Sequence, residues 1–239
     1  MYRDLSLIVI AAVLDEERKI GEVVRRMPAL VDETLIVDDG STDRSAAIAR
    51  DLGATVLSMG CTVGVGAALR AAYRYAVEKH YDVTITIAGN NKDSPEEIPL
   101  LVDPIAEGRA DFVQGSRFLK QQPDFGAMPI YRRFATRMHP LLFSLVARHR
   151  VTESTNGFRA MRTAILADPR IDLSQAWLDE YELEPYLYLR ALRLGYRAVE
   201  VPVTKVYPPK ELGQTKMKPV VGWWSILRPL FYLGLGLKK

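Results

Sequence analysis

Val83-Thr84-Ile85-Thr86-Ile87-Ala88-Gly89-Asn90-Asn91-Lys92-Asp93-Ser94-Pro95-Glu96-Glu97-Ile98-Pro99 joins a strand to a helix. β-Branched residues dominate 83–87, which predicts a buried strand. Ser94 suits an N-cap, Pro95 suits the first helical position, and Glu97 stands where a capping box needs it. Between strand and helix lies a short turn of small and polar residues with one cation. In open α/β sheets, ligands bind just past the carboxyl ends of strands. A lysine and two amides there mark a candidate site, although the same residues also make an ordinary polar turn.

The pattern repeats on both sides. Leu7–Val13 reads as a fully buried strand, followed by a helix for which Asp15 is the expected cap. In that helix Ile20, Val23, Val24 and Met27 fall at i, i+3, i+4 and i+7. Further strands are predicted at 34–37, 54–57, 111–114 and 198–203. Helices are predicted at 46–52, 67–79, 95–107, 130–148 and 181–194. Strand and helix alternate four times within the first 115 residues. That alternation specifies an α/β fold, a mostly parallel sheet with helices on both faces. The second half is more irregular. No internal repeat or low-complexity linker divides the 239 residues, so one domain over 1–239 is expected, with 1–115 as its ligand-binding half.

Composition narrows the function classes. Hydrophobic residues make up 48% and charged residues 26%, which describes a folded chain with a sizeable core. A formal net charge of +3 is too small to argue for nucleic acid as a partner. Cys61 is the only cysteine, which excludes an internal disulfide and fits a reducing, cytoplasmic compartment. The three histidines lack paired spacing, so no metal-ligand signature is present. The apolar run over 5–14 is too short to span a bilayer and lacks a cleavage site.

Asp38-Asp39-Gly40-Ser41-Thr42-Asp43 follows the second strand directly. Adjacent carboxylates repel unless they find partners, and at a strand end they suit ribose hydroxyls or a base N–H. Ser41, Thr42 and Asp43 are also good helix caps, and both roles are compatible.

Taken together, these segments resemble the inverting family 2 glycosyltransferases of the GT-A fold. Ile36-Val37-Asp38-Asp39-Gly40-Ser41-Thr42-Asp43 is similar to the family signature, and Val13-Leu14-Asp15-Glu16-Glu17 to its first-strand motif. Gly64-Val65-Gly66-Ala67-Ala68-Leu69 is similar to its glycine loop, Asn156-Gly157-Phe158-Arg159 to a later conserved segment, and Glu200-Val201-Pro202-Val203 to a late strand. Gly213-Gln214-Thr215-Lys216-Met217 resembles a loop of the polyprenyl-phosphate sugar transferase branch, the dolichyl-phosphate mannose synthase-like enzymes. These matches run in family order over nearly the whole chain.

The resemblance implies a nucleoside-diphosphate sugar donor, UDP- or GDP-linked, and a lipid-phosphate acceptor. By family position Leu14, Glu16, Val37, Asp39 and Gly89 surround the nucleotide. Arg117 and one of Arg132 or Arg133 face phosphates, and Lys216 comes from a loop closing over the donor or acceptor phosphate. For each arginine, a solvated surface charge is the ordinary alternative.

The chain departs from the family at the opening stretch. Counting from Pro95, the family's Asp-x-Asp metal motif falls on Ala88-Gly89-Asn90, and a further ligand position falls on Lys92. Alanine has no ligand atom, a neutral amide is a poor ligand for a hard cation, and an ammonium repels one. The expectation is therefore no metal cofactor. Lys92 takes the place of Mg²⁺ or Mn²⁺ beside the donor diphosphate, with Asn90 near it. Asp93 alone is a poor rescue ligand.

On the acceptor side, a hydroxyl needs a general base, whereas a phosphate is already anionic. Glu153 and Asp179 are the candidate bases for a hydroxyl. Glu180 and Glu184 are read as compensating a helix dipole. The tail, 219–239, is dense in apolar and aromatic residues beside Arg228, Lys238 and Lys239, which suits either a peripheral membrane contact or packing on the core. Two alternatives stand beside a lipid-phosphate acceptor: the same donor with a soluble acceptor, and a catalytically silent nucleotide-binding homologue.

Overall fold

The computed structural model describes residues 1–121, 123, 125–207 and 219–238, without the side chains of 219–221. Lys216 lies outside the described residues.

A seven-stranded sheet runs through the chain in the order β3-β2-β1-β4-β6-β5-β7. The strands are β1 (Leu7–Val13), β2 (Glu33–Asp38), β3 (Thr55–Ser58), β4 (Val83–Thr86), β5 (Phe112–Ser116), β6 (Arg159–Arg162) and β7 (Ala198–Pro202). β1 is apolar at every position because both faces of the sheet are covered, as parallel sheets require. β6 is antiparallel to both of its neighbours, β4 and β5, and every other pairing is parallel. The sequence does not announce β6: Arg-Ala-Met-Arg is short and bears charge at both ends.

Helices α1 (Ile20–Arg25), α2 (Ser45–Asp51) and α4 (Ile98–Ala106) pack on one face around Val23, Ala49, Ile98 and Leu101. Helices α3 (Val65–Glu78), α5 (Ile130–Ala147), α6 (Leu183–Arg193) and α7 (Pro219–Gly234) cover the other. There the rings of Phe112 and Phe143 stack on Tyr188, at 4.8 and 5.0 Å between centroids. The tail helix α7 buries Leu230 and Leu233 in this core. No helix among the described residues is long and apolar enough to cross a membrane.

Two expected caps are not made. Asp15 adopts a left-handed φ of 46° and accepts from the Thr42 N–H at 2.7 Å, so it ties two loops together and leaves α1 to begin after Lys19. Ser94 makes no side-chain cap, and 95–97 is a 3₁₀ turn leading into α4. Glu97 is drawn away by a long-range partner: its carboxylate accepts from the Thr204 N–H at 2.5 Å and from Lys120 at 2.8 Å.

Candidate active site

The carboxyl ends of β1, β2 and β4 open into a cavity of about 460 Å³, closed on the far side by α5, α6, α7 and the chain after β7. Leu14, Glu16, Asp39, Gly89, Asn90, Lys92 and Arg132 all line it.

Its first wall follows from the acidic turn. Asp38 points back into the turn, accepting from the Ser41 N–H at 3.0 Å. Asp39 turns forward and accepts from the N–H groups of Val63 at 2.7 Å and Gly64 at 3.2 Å, so it holds the glycine loop against the end of β2. Burial pushes the Asp39 carboxyl above the usual carboxylate range, although those two amides pull the other way. Gly40 permits this close approach: its φ is 79°, and a Cβ there would sit 2.5 Å from the backbone at 61–62. Glu16 forms an ion pair with Lys19 at the cavity edge.

The second wall is the loop after β4. Asn91 supplies its left-handed residue, with φ of 57°, a conformation asparagine tolerates. Asp93 is fully enclosed. Its carboxylate accepts from Lys205 at 2.6 Å and from the Ala88 N–H at 3.0 Å, and it is bridged to Lys205 through the backbone as well. The Val206 N–H donates to the Lys92 carbonyl at 2.9 Å. The loop is thus pinned to the segment after β7, which delivers Lys205 and Tyr207.

Three cations consequently meet at the cavity. The Lys92 ammonium lies 4.7 Å from the centre of the Tyr207 ring, and the Arg132 guanidinium lies 5.3 Å from the same ring. Both are at cation–π distance. Among the described residues Lys92 makes no ion pair with a carboxylate. Burial, with the nearby charges of Lys205 and Arg132, pushes its pKa down to about 7. The buried Oδ1 of Asn90 accepts no hydrogen bond among the described residues. No group of three or more His, Cys, Asp or Glu side chains suited to a metal is present among them either.

The remaining expected residues lie elsewhere. Val37 is fully buried in the core, one strand position short of the acidic turn. Arg117 and Glu153 are buried against each other at 2.6 Å. Glu153 also accepts from the Ser154 and Thr155 N–H groups at 3.0 and 2.8 Å, so it is committed to holding its own loop. Neither side chain reaches the cavity, because a charge pair this deep is held in place by its own partners. Arg133 is turned outward onto the Phe125 ring. Asp179 pairs with Arg70, while its carbonyl accepts from the N–H groups of Gly66 and Ala67 at the start of α3.

Other residues line the cavity without having been picked out. Glu184, expected to serve a helix dipole, faces Arg159 across the cavity's rear at 3.4 Å. Arg159 is almost fully buried, and it also donates to the carbonyls of Asn156 at 2.7 Å and Glu184 at 3.0 Å. Its place in the Asn-Gly-Phe-Arg segment was the available signal. Lys205 and Tyr207 carried none, since they meet Lys92 only through the pairing of two loops distant in sequence.

A family model described as glycosyl transferase family 2 matches residues 8–168. An undecaprenyl-phosphate mannosyltransferase of Micrococcus luteus is 32% identical over 77% of this chain and 75% of its own length. A dolichyl-phosphate hexose transferase of Haloferax volcanii is 30% identical, over 92% of this chain and 90% of its own. Among solved structures, glucosyl-3-phosphoglycerate synthase from Mycobacterium tuberculosis with bound UDP superposes with a TM-score of 0.73, at 20% identity, over 99% of this chain and 82% of that one. Another complex of that synthase contains Mn²⁺ with UDP and phosphoglyceric acid, with a TM-score of 0.69 at 22% identity, over 97% of this chain and 79% of that one.

Proposed function

The chain belongs to glycosyl transferase family 2, and from that premise we propose that it moves a sugar from a nucleoside-diphosphate donor to a polyprenyl phosphate without a divalent metal. The observation that carries this is the meeting of Lys92 and Arg132 at Tyr207, with Lys205 lining the same cavity, where carboxylates would be needed to hold a cation. The residues present do not fit Mg²⁺ or Mn²⁺. Asp93, the one acid in the loop, is already neutralised by Lys205, and Lys92 would repel the ion.

The same cations suit a diphosphate. Lys92 and Arg132 neutralise its oxygens, and Asn90 Oδ1 awaits a hydroxyl donor from the ribose or sugar. The base lies between Leu14, Glu16 and Asp39; uridine and guanosine both fit this description. A phosphate oxygen of the acceptor attacks the anomeric carbon in line as the bond to the donor diphosphate breaks. The bonding pair leaves with the nucleoside diphosphate, and the fixed cations stabilise the charge that develops there. A phosphate nucleophile needs positioning more than deprotonation. That agrees with the engagement of both candidate bases, Glu153 and Asp179, in ion pairs of their own. The names of the two relatives, each a transferase to a polyprenyl-type phosphate, support the acceptor class.

The test is transfer of radiolabelled sugar into solvent-extractable product from UDP- and GDP-linked donors and a polyprenyl phosphate, with and without EDTA. Undiminished turnover in EDTA is expected. Activity abolished by EDTA and restored by Mg²⁺ or Mn²⁺ would refute the metal-free mechanism. Label that remains in water with a soluble acceptor would refute the lipid acceptor.

A further inference from the structure

α5 is built inside out. Its core face carries Thr136, His139, Phe143 and Ala147, while Ile130, Phe134, Leu141 and Leu145 point to solvent at 83%, 68%, 62% and 77% exposure. Tyr131 and Leu142 are exposed beside them. At 100° per residue these six occupy an arc of about 120°, an unbroken apolar stripe roughly 22 Å long. α7 packs alongside and adds Trp224 and Phe231, half-exposed and in ring contact at 5.6 Å. Single exposed apolar residues need no explanation, but a contiguous patch on this scale does.

We propose that the outer face of α5, continued by α7, is a docking surface for an anionic lipid bilayer. The charge around it selects this occupant. Residues 126–152 contain Arg132, Arg133, Arg137, Arg148 and Arg150 and not one carboxylate. Arg137, Arg148 and Arg150 are exposed at the side and end of the stripe. The tail 219–239 likewise has no acid and ends in Lys238 and Lys239, while its Arg228 is turned inward onto Glu182. Apolar side chains flanked by cations are what an anionic interface attracts. A second copy of this chain would bring arginines against arginines across a two-fold axis, which disfavours self-association.

The surface also adjoins the cavity. Arg132, in the first turn of α5, and Ile226, on α7, both line it. Docking through α5 sets the cavity beside the headgroup layer, where a lipid phosphate is presented. This last step rests on the acceptor proposed above; the binding itself does not. The tail alone is not the anchor, since α7 turns Leu230 and Leu233 inward.

Flotation of the full chain with vesicles tests the surface. Vesicles of phosphatidylcholine alone are compared with vesicles one-third phosphatidylglycerol, at low and high salt. The variants are F134S/L141S/L145S and R137E/R150E, each checked by circular dichroism and nucleotide binding. The expected result is capture by the anionic vesicles, weakened by salt, and reduced at least about tenfold in each variant. No capture of the wild-type chain, capture of either variant equal to that of the wild type, or a dimer in solution that the triple variant splits would each overturn the proposal. Transfer to a short-chain, water-soluble polyprenyl phosphate is measured in parallel. Intact transfer without flotation rejects the surface alone, and flotation without transfer rejects the acceptor alone.

Discussion

Replacing Lys92 by methionine removes a charge from the cavity while keeping the length of the side chain, and the consequences run in opposite directions for catalysis and for stability. A unit charge pair at 4 Å is worth about 4 kcal/mol at an effective dielectric of 20. Lys205 and Arg132 remain, so the diphosphate stays partly clamped. The expected loss is about 3–4 kcal/mol of transition-state stabilisation, roughly 10²–10³-fold in kcat. In the empty protein the ammonium is a burden. Its folded pKa is depressed to about 7 by burial and by the cations beside it, below the value it has in an unfolded chain. The unfolded chain therefore binds more protons than the folded one above pH 7, and the destabilisation due to Lys92 is complete below pH 7 and is relieved as pH rises towards 10. Lys92→Met should consequently melt higher than wild type at pH 6, by about 2–4 °C for each kcal/mol relieved, with the gap narrowing above pH 7 and closing only towards pH 10.

The same group makes nucleotide binding take up a proton. With a pKa of about 7 in the empty site, Lys92 is mostly neutral at pH 8, and a bound diphosphate recharges it. Calorimetry of UDP and GDP binding at pH 8 in buffers of different ionisation enthalpy should show net proton uptake by the wild type and none by Lys92→Met. Equal uptake by wild type and variant at pH 8, together with unchanged kcat, would refute the assignment of Lys92 to the diphosphate.

Arg117→Ala leaves Glu153 buried without its cation, and should lower stability by about 3–5 kcal/mol in urea melts. Gly66→Ala drives a Cβ to 2.0 Å from the Leu178 carbonyl, backbone that has little room to retreat; a fall of at least about 2 kcal/mol and weaker nucleotide binding are expected from denaturation and titration. Asp93→Asn unpairs the buried Lys205 and should cost about 3 kcal/mol or more in thermal melts, most of it recovered in the double variant with Lys205→Met.

What could be read in the sequence was what is local. The strands of the first half show through because each is an apolar run bounded by a turn, and the positions of Leu14, Glu16, Asp39, Gly89, Asn90 and Lys92 follow once the strand ends are known. What could not be read depends on pairing across the chain. Glu97 has the spacing of a capping box, but its carboxylate is taken by donors distant in sequence, the N–H and hydroxyl of Thr204. Arg117 and Glu153 carry charge and therefore resemble surface or site residues. Only the fold reveals that they satisfy each other in the interior. Val37 alternates with a residue facing the turn, and the period of two in a strand sends it into the core. Periodicity located α5 and not its inversion, because the rule that a helix buries its apolar stripe turns Ile130, Phe134, Leu141 and Leu145 inward, whereas the face that packs carries Thr136, His139 and Phe143.

A divalent ion can arrive with the nucleotide and leave with it, whereas a side-chain cation stays when the cavity is empty. Three cations this close must each be tolerated by the empty fold, and each is tolerated differently. Lys205 has Asp93 locked against it at 2.6 Å. Arg132 shares the Tyr207 ring and sits at the cavity edge, in reach of water. Lys92 shares that ring too but has no carboxylate partner among the described residues, and burial brings its pKa down to about 7. The acid beside the altered motif thus has a structural duty: Asp93 pairs with Lys205 and leaves Lys92 without a carboxylate among the described residues, the arrangement that the proposed mechanism needs. Restoring a metal site would therefore take more than putting aspartates at Ala88 and Asn90. Wherever Lys92 is protonated it would repel the ion, and Asp93 would have to abandon the pairing with Lys205 that fixes its own loop.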